Sequence, residues 1–516
     1  MTTTAPPPTT VDIPDLSLPA FVLQRAEQYG DRTALVDVAG GDGYTYRQLA
    51  SMVRRLAAGL HARGFRRGDV LAMLAPNVPE YPIVVLAASL AGGTVVVLNP
   101  IDTPDDLAGH LTDAGAKLLV TVPSEVPKAA ALAARTKVEE IVVMGAADGA
   151  TSLSELLSDD PAPEVAIDPA SDVAALLHSS GSTGRPKGVM LTHRNIVATV
   201  LQTRTVTPLG ADEKVLAMPP FHHAFGLIMV MSASLLQGAT IVTMPRFDPE
   251  GYVKAIHDHR ITRLYIVPTL AVLLARSPLP DRYDLSSVRS IVSGGAALDP
   301  EIARLCRERL GCHIAQGYGL TEAMTSFMQL EEPLVPASVG RTAPNVECRI
   351  VDVTTGAQLG AHQRGEILIR GPHVMKGYLN AAEVTSKVLR PDGFMHTGDL
   401  GYLDDDGELF LVDRIKELIK YKGQQVSPVE LEAVLMTHPK VADAAVIGVP
   451  DEEASEIPKA FVVAKEPTTE QELIAFVAEQ VAPYKKIRQI EFIEQIPRTP
   501  VGKIERRRLK ERTFSS

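Results

Sequence analysis

A short segment rich in hydroxyl side chains and glycine carries the clearest chemistry in the chain. The segment HSSGSTGRPKGVMLTH covers residues 178–193 and contains a single lysine, Lys187. Hydroxyl groups and glycine N–H groups can surround a phosphate chain as an anion nest, and a lysine adds a point charge. The common pattern G-x-x-x-x-G-K-[ST] is absent, because Gly188 follows Lys187 and Gly181 stands too close to Gly184. The segment therefore predicts a phosphate-binding loop of another class; the alternative is a flexible Gly/Ser linker.

The elements around this loop predict that it joins two strands. Apolar stretches at 173–177 and 189–191 flank it, whereas Thr45 and Gln48 form a capping box that starts a helix elsewhere in the first half. Apolar strands that alternate with helices predict parallel sheets covered on both faces. These strands are expected at 70–74, 94–98, 118–122, 140–143, 240–244, 264–267 and 290–293.

The pattern changes after about residue 345. Turn-bounded alternating strands at 347–352, 365–370 and 407–412 predict a small antiparallel barrel or sheet. After Asp413 the chain becomes markedly charged, and Ser427 and Glu430 form a second capping box. The remainder predicts a compact α+β unit with strands at 442–449, 460–465 and 489–493, a helix at 469–480 and a basic terminal helix.

These patterns together predict an α/β protein with two domains. The N-terminal domain, 1–413, has mainly parallel sheets covered by helices plus the small β-barrel-like subdomain, and the C-terminal α+β domain is 414–516.

Composition narrows the function classes. The chain of 516 residues carries a formal net charge of −11, which argues against nucleic-acid binding. Three cysteines without a CxxC spacing favour a reducing compartment, and the N-terminus lacks the pattern of a secretory signal. One long uncharged run, 81–101, contains proline, glycine and polar residues, so we expect a buried helix, a turn and a strand rather than a membrane span. We expect a cytoplasmic protein.

Four further motifs follow the loop in order: QGYGLTE at 316–322, TGDL at 397–400, Asp413-Arg414, and PRTPVGK at 497–503. With the loop they closely resemble the adenylate-forming superfamily, which contains acyl-CoA synthetases, 4-coumarate–CoA ligases, firefly luciferase and peptide-synthetase adenylation domains. The resemblance covers nearly the whole chain, and VDRIKELIKYKG is most similar to the 4-coumarate–CoA ligase branch. It implies that a carboxylic acid and ATP give acyl-AMP and pyrophosphate, with Mg²⁺, and that coenzyme A then takes the acyl group and releases AMP.

The resemblance also implies an ATP site. Glu322 would coordinate Mg²⁺, Thr321 would contact the α-phosphate, and Lys503 would neutralise charge that develops between the carboxylate and the α-phosphate. Asp399 and Arg414 would reach the ribose. The phosphates would lie against Ser179, Ser180, Gly181, Ser182, Thr183, Gly184 and Lys187. The adenine and its surroundings would be framed by Gly294, Gly295, Ala296, Gln316, Gly317, Tyr318 and Gly319.

The acyl site is implied by PPFHHAFGL. His223 would close it near the carboxylate; a metal site at His222 and His223 is disfavoured because adjacent side chains point apart. The expected pocket positions are Ala224, Phe225, Leu270, Val292, Gly294, Gly317, Met324 and Ser326. Coumarate ligases usually carry tyrosine at the Phe225 position, so cinnamate-like, other aryl and medium-chain fatty acids all remain open, and a packing role alone is the alternative for Phe225.

The second step is expected to use the C-terminal domain. The resemblance places a hinge at Lys416, thiolation residues at Lys420 and Gln425, and the pantetheine tunnel at Lys422 and Gly423. Gln424 departs from the aromatic residue usual in coumarate ligases.

Three hypotheses stay open at this point. The chain is an acyl-CoA ligase, an adenylating enzyme that passes the acyl group to a carrier-protein thiol or another nucleophile, or a degenerate nucleotide-binding protein. The presence of Glu322, Asp399 and Lys503 argues against the third hypothesis. No motif excludes a luciferase-like oxidation, and nothing in the sequence favours it.

Overall fold

The computed structural model describes residues 10–41, 43–179, 186–329, 335–422, 424–451, 453–499, 502 and 504–515. They form two compact units. The larger unit comprises Pro7–Glu347 and Ile369–Met395, and the smaller unit includes Cys348–Leu368 and His396–Ser516. The division of the chain into functional domains at 413/414 stays a prediction.

The strands are listed here in chain order: β1 Thr33–Asp37, β2 Tyr44–Thr45, β3 Val70–Leu74, β4 Thr94–Leu98, β5 Leu118–Thr121, β6 Glu140–Val143, β7 Thr151–Ser152, β8 Val173–Ser179, β9 Lys187–Thr192, β10 Lys214–Ala217, β11 Thr240–Thr243, β12 Arg263–Ile266, β13 Ser290–Ser293, β14 His313–Leu320, β15 Met324–Met328, β16 Arg341–Thr342, β17 Glu347–Val351, β18 Gly365–Arg370, β19 Gly377–Tyr378, β20 Met395–Leu403, β21 Leu409–Arg414, β22 Ile419–Tyr421, β23 Gln424–Val426, β24 Val441–Asp451, β25 Ser455–Ala464 and β26 Gln489–Phe492.

The α-helices follow in the same way: α1 Leu18–Leu23, α2 Ala26–Tyr29, α3 Tyr46–Ala62, α4 Glu80–Leu90, α5 Pro104–Ala114, α6 Val126–Ala133, α7 His193–Val206, α8 Ala233–Gln237, α9 Pro249–His259, α10 Pro268–Arg276, α11 Pro300–Leu310, α12 Ala382–Val388, α13 Pro428–Met436, α14 Glu470–Gln480 and α15 Arg506–Ser515. A π-helical segment, Phe225–Ser232, precedes α8. No helix in the described ranges is both long enough and apolar enough to span a membrane.

Two large sheets make up the core of the larger unit. One has the strand order β16-β15-β14-β13-β12-β10-β11-β1-β2, and the other has the order β19-β9-β8-β4-β3-β5-β6-β7. Their central strands are parallel and buried along most of their length; every residue of β4, Thr94–Leu98, is buried. Helices pack against the sheets, and α3 starts at the predicted capping box, where the Gln48 N–H donates to Thr45 Oγ1 at 3.2 Å. The predicted parallel α/β architecture is confirmed.

The order of four parallel strands determines where a ligand can bind. Strands β14, β13, β12 and β10 are neighbours in the nine-stranded sheet, so β10, β12 and β13 end at one edge, level with Gln316 in β14. In open α/β sheets, ligands bind beyond the carboxyl ends of parallel strands. The chain segments that leave this edge are 218–225, 267–270, 294–296 and 317–319.

The smaller unit contains a four-stranded sheet, β17-β18-β20-β21, and a sheet of β23-β22-β25-β24 with β26 on β25. The strand predicted at 407–412 lies two residues later, at Leu409–Arg414, because Gly407 has φ +80° and belongs to a turn. The hairpin β24–β25 is longer than predicted, and Pro450 and Pro458 lie inside it. Because proline usually ends a strand, the sequence pattern predicts strands that are too short here.

Of the second predicted capping box, the Ser427 half forms and the Glu430 half does not. Ser427 caps α13 as expected, since its Oγ accepts the Glu430 N–H at 3.2 Å. The Glu430 carboxylate, however, accepts two hydrogen bonds from Lys485 Nζ at 2.6 and 2.7 Å. A charged donor is the stronger partner for a carboxylate, so Glu430 does not turn back to the backbone of Ser427.

A buried charge cluster fixes the terminal helix of the smaller unit. Arg506, with its side chain 14% exposed, donates to Glu417 at 2.8 Å, to Glu432 at 2.6 Å and to the Val446 carbonyl at 3.2 Å. Burial raises the pKa of Glu432, and the Arg506 charge opposes that shift. Removal of Arg506 would therefore leave a buried carboxylate without its counter-charge.

Arg506→Ala should lower the free energy of unfolding of the smaller unit by about 3–5 kcal/mol, because a buried carboxylate loses its partner. Urea titration with peptide-resolved hydrogen exchange measures this loss. Arg507→Ala is the matched control: Arg507 pairs with Glu511 but its side chain is 76% exposed, so the cost should stay below about 1 kcal/mol. Equal losses for the two variants would contradict the role given to the cluster.

Candidate active site

The two ends of the phosphate loop are held as predicted by adjacent strands. Strands β8 and β9 pair antiparallel, and Ser179 lies opposite Lys187. The strand-to-strand connection is thus confirmed. The intervening positions Ser180, Gly181, Ser182, Thr183 and Gly184 lie outside the described residues.

Glu322 lies in the turn between β14 and β15, beside Thr321, and its carboxylate reaches the loop. Its Oε1 accepts hydrogen bonds from Ser179 Oγ at 2.7 Å and from the Tyr378 hydroxyl at 2.9 Å. Within the described residues, Oε2 accepts none. A carboxylate fixed through one oxygen presents the other as a hard ligand, which fits a magnesium ion.

Tyr378 was not expected from the sequence. It lies in the short strand β19, which pairs with β9, and its ring lies 5.4 Å from Lys187 Nζ. Burial first, and then the nearby Glu322 charge, raise the pKa of the Tyr378 hydroxyl well above its ordinary value, so it remains a donor. The segment KGYLN carries no chemical pattern that marks this tyrosine, and its role depends on residues far away in the chain.

Glycine residues line the sheet edge directly after β13 and within β14. At Gly294 a Cβ would come within 3.4 Å of the Phe225 ring, and Gly295 has φ +85°. A Cβ on Gly319 would lie 1.6 Å from the Met324 carbonyl oxygen, so only glycine fits. Ala296 follows these glycines at the same sheet edge.

Gln316, Gly317 and Tyr318 lie within β14, level with and just beyond the end of β13. The Gln316 side chain is fully engaged, because Oε1 accepts the Leu298 N–H at 3.1 Å and Nε2 donates to the Ser338 carbonyl at 2.7 Å. A Cβ on Gly317 would touch Met328 at 2.9 Å, and the Tyr318 side chain is 7% exposed. The structure therefore shows Gln316 as a structural link of this edge, whereas its predicted contact with the nucleotide stays a prediction.

The predicted acyl residues meet around Phe225. The ring of Phe225 lies edge-on to Tyr265, with centroids 6.0 Å apart, and packs against Gly294. The Phe225 N–H donates to His223 Nδ1 at 3.3 Å. Ala224, Leu270 and Val292 are buried at 7%, 7% and 2% exposure. Burial lowers the pKa of the adjacent His222 to about 4, so that ring is neutral at physiological pH.

Met324 and Ser326 are engaged by neighbours in the interior. Ser326 is fully buried; its Oγ donates to the Ala323 carbonyl at 2.7 Å and lies 3.0 Å from His373 Nε2. The Met324 sulfur accepts the Thr199 hydroxyl at 3.4 Å. Both positions are therefore held by neighbours in the interior, and their place in the acyl pocket stays a prediction.

In the smaller unit, the two predicted ribose residues are brought together. Asp399 in β20 lies opposite Arg414 in β21, and Arg414 Nε is 3.1 Å from Asp399 Oδ1. The Asp399 N–H donates to Thr397 Oγ1 at 3.1 Å, which holds the TGD turn. The arrangement presents a carboxylate and a guanidinium side by side.

The predicted hinge and thiolation residues follow directly. Lys416 is exposed in a 3₁₀ turn after β21. Lys420 and Gln425 are exposed and face each other across the β22–β23 hairpin, and Lys422, with φ +46°, begins its turn. Gly423 lies outside the described residues.

Lys503 also lies outside the described residues, but residues on both sides of it are well connected. Arg498 pairs with Ile504 in an antiparallel bridge. The Arg498 guanidinium donates to the Gly502 carbonyl at 3.0 Å and to Asp443 at 2.8 and 3.0 Å.

Comparison with known proteins places this arrangement in a family. The chain matches the model of the AMP-binding enzyme family over residues 22–379 and that of the AMP-binding enzyme C-terminal domain over residues 430–503. It is 40% identical to 4-coumarate–CoA ligase 5 of Oryza sativa subsp. japonica, over 97% of this chain and 95% of that protein.

Solved structures agree. The chain is similar to ATP-bound MatB from Rhodopseudomonas palustris, with a TM-score of 0.88, 30% identity and coverage of 96% of this chain and 99% of MatB. It is also similar to a benzoate CoA ligase from Burkholderia xenovorans LB400, with a TM-score of 0.87, 28% identity and coverage of 96% and 100%. The chain therefore belongs to the AMP-binding enzyme family, and it is an AMP-forming acid–thiol ligase similar to the 4-coumarate–CoA ligases.

Proposed function

We propose that this ligase activates an apolar carboxylic acid of the cinnamate-like or other aryl class and transfers its acyl group to coenzyme A. In the first step the carboxylate attacks the α-phosphorus of ATP, giving acyl-AMP and releasing pyrophosphate. In the second step the CoA thiol attacks the acyl carbon, loses its proton and releases AMP. The observation that carries the proposal is the packing of Phe225 against Tyr265 and Gly294, directly beside His223.

The choice of acid follows from that packing. Phe225 offers an aromatic edge and no hydrogen-bonding group, and Ala224, Leu270 and Val292 are buried apolar side chains. An apolar site discriminates weakly against neighbouring acids, in contrast to a site built around a substrate hydroxyl. The similar proteins are named for 4-coumarate and benzoate, which supports an aryl acid. A medium-chain fatty acid is the alternative that the test below separates.

His223 is suited to hold the carboxylate. Because the Phe225 N–H donates to Nδ1, the neutral ring carries its proton on Nε2 and can donate it to a carboxylate oxygen. This contact orients the acid without any covalent intermediate on the enzyme, so positioning and electrostatics supply the rate enhancement.

For ATP, Lys187 is proposed to hold the phosphates and Thr321 the α-phosphate, whereas Ser179, whose hydroxyl donates to Glu322, would act through that carboxylate. Glu322 would hold Mg²⁺, which offsets phosphate charge when it is bound. Asp399 and Arg414 are proposed to bind the ribose. ATP itself is supported by the ATP-bound structure of MatB.

For the second step, we place CoA at the hairpin that carries Lys420, Lys422 and Gln425, after rotation of the C-terminal domain about Lys416. The facing of Lys420 and Gln425 across the β22–β23 hairpin supports their joint role. A cytoplasmic location is supported by the three cysteines, Cys306, Cys312 and Cys348, which are all free thiols.

The proposal is tested by ATP–pyrophosphate exchange against a panel of benzoic, cinnamic and C6–C12 fatty acids, followed by mass detection of thioesters with CoA or with a carrier protein. We expect the highest kcat/KM with an aryl acid and a product that requires CoA. Preference for a fatty acid would refute the acid class. Exchange without a CoA thioester would refute the acceptor, and failure of every acid would refute both acid classes.

Lys503→Ala should reduce acyl-AMP formation by about 10²–10³-fold, because a charge that stabilises the transition state is lost. Thioester formation from supplied acyl-AMP should be largely spared. Pyrophosphate exchange and single-turnover thioesterification measure the two half-reactions separately. Lys510→Ala, at a basic residue of the terminal helix α15, is the control and should leave both unchanged. Equal loss of both half-reactions in Lys503→Ala would exclude this division of labour.

Phe225→Tyr should raise the ratio of kcat/KM for 4-coumarate to that for cinnamate about tenfold, because the added hydroxyl gives the substrate phenol a hydrogen-bond partner. Steady-state kinetics with both acids measure the ratio, and the KM for ATP should not change. Phe247→Tyr, the same change at a phenylalanine that is 48% exposed, is the control. An unaltered ratio would mean that Phe225 does not face the ring of the acid.

A further inference from the structure

Two opposite charges, Lys187 and Glu322, contact the same tyrosine at the proposed phosphate site without forming an ion pair. Lys187 begins β9, and Glu322 lies in the turn after β14, yet no ion pair within 4 Å joins Lys187 to a carboxylate of the described residues. Both groups point at the same side chain, Tyr378, which is 7% exposed. Its hydroxyl donates to Glu322 Oε1 at 2.9 Å, and its ring lies 5.4 Å from Lys187 Nζ.

Tyr378 is itself held firmly. Its position in β19 opposite Val189 in β9 fixes it two residues from Lys187 along the neighbouring strand. The Tyr378 N–H donates to Thr385 Oγ1 at 2.9 Å, and the Met375 N–H donates to the Glu322 carbonyl at 2.8 Å. The ring and the hydroxyl are therefore fixed relative to both charges.

We propose that Tyr378 is a positioning residue for the nucleoside triphosphate and its divalent cation. The hydroxyl orients Glu322 by occupying Oε1 together with Ser179, which leaves Oε2 toward the cation. The ring supports the Lys187 ammonium by a cation–π contact and keeps it from closing onto Glu322. A direct Lys187–Glu322 pair would neutralise both groups, whereas the separated charges can bind a phosphate and a cation at the same time. This inference rests on the proposed roles of Glu322 and Lys187.

The decisive variant is Tyr378→Phe, which keeps the ring and its packing but removes the hydroxyl. The readout is equilibrium binding of Mn²⁺, followed by electron paramagnetic resonance, to enzyme saturated with α,β-methylene-ATP, in which the bond to be broken cannot react. Loss of a hydrogen bond to a charged group should raise the Mn²⁺ dissociation constant about five- to tenfold. The affinity for the analogue without metal, measured by calorimetry, should stay unchanged. In Tyr378→Leu, that metal-free affinity should also fall, because Lys187 loses the ring.

Tyr44→Phe is the matched control. Its hydroxyl also donates to a glutamate, Glu80 Oε1 at 3.0 Å, and its pKa is likewise raised, chiefly by burial and then by that glutamate. It lies outside the proposed site, so Mn²⁺ binding should equal that of the unmodified enzyme. An equal effect of Tyr44→Phe and Tyr378→Phe would overturn the inference.

Glu322→Gln and the double variant separate the possible failures. If Tyr378 acts through Glu322, the double variant should bind Mn²⁺ no more weakly than Glu322→Gln alone. Additive losses would overturn the inference. Weaker binding in Glu322→Gln but not in Tyr378→Phe would refute the role of Tyr378 alone, whereas unchanged binding in Glu322→Gln would refute the proposed metal ligand and the inference with it.

Discussion

The backbone N–H and C=O groups of a buried parallel strand are paired with those of neighbouring strands that run in the same direction. The carboxyl ends of adjacent parallel strands therefore lie at one edge of the sheet. In this protein the constraint acts on β10, β12 and β13, with β14 alongside. It brings His223, Phe225, Gly294 and Tyr318 to one edge, although they are spread over about a hundred residues of sequence. A single sheet edge thus collects the residues proposed to contact the acyl group, the glycines after β13 and Tyr318 in β14.

The proposed phosphate site imposes a different demand, because a cationic and an anionic group must stay near one another without neutralising each other. In an ion pair, Lys187 and Glu322 would neutralise each other, and neither charge would be available for the proposed binding of ATP. The solution in this structure is an intervening side chain with two chemical faces, a π surface and a hydroxyl. The pairing of β19 with β9 makes it possible, because it places Tyr378 beside the strand that begins with Lys187.

Local patterns predicted a large part of this molecule, and two of the misses, at Glu430 and Tyr378, share one physical cause. The strands at 70–74, 94–98 and 290–293 lie where apolar runs placed them, because burial on both faces leaves a continuous hydrophobic signal. The capping rule pairs the Glu430 side chain with the backbone of Ser427, because it considers only near neighbours in sequence. The actual partner of Glu430, Lys485, is 55 residues away. Tyr378 was missed for the same reason, as its partner Glu322 is 56 residues distant. Periodicity and capping rules describe neighbours in sequence, whereas these contacts are selected by charge and by strand pairing across the fold.

The hinge proposed at Lys416 lies between groups that bind each other. Asp413, before it, accepts hydrogen bonds from the Ser427 hydroxyl and from the Val429 N–H, both after it. Rotation about Lys416 would break these contacts and expose the cap of α13. The partners Glu417, Glu432 and Val446 of Arg506 all follow the hinge, so that cluster would move as one piece with the terminal helix. A rotation about Lys416 would therefore have to break the contacts of Asp413 with Ser427 and Val429, whereas the Arg506 cluster could stay intact.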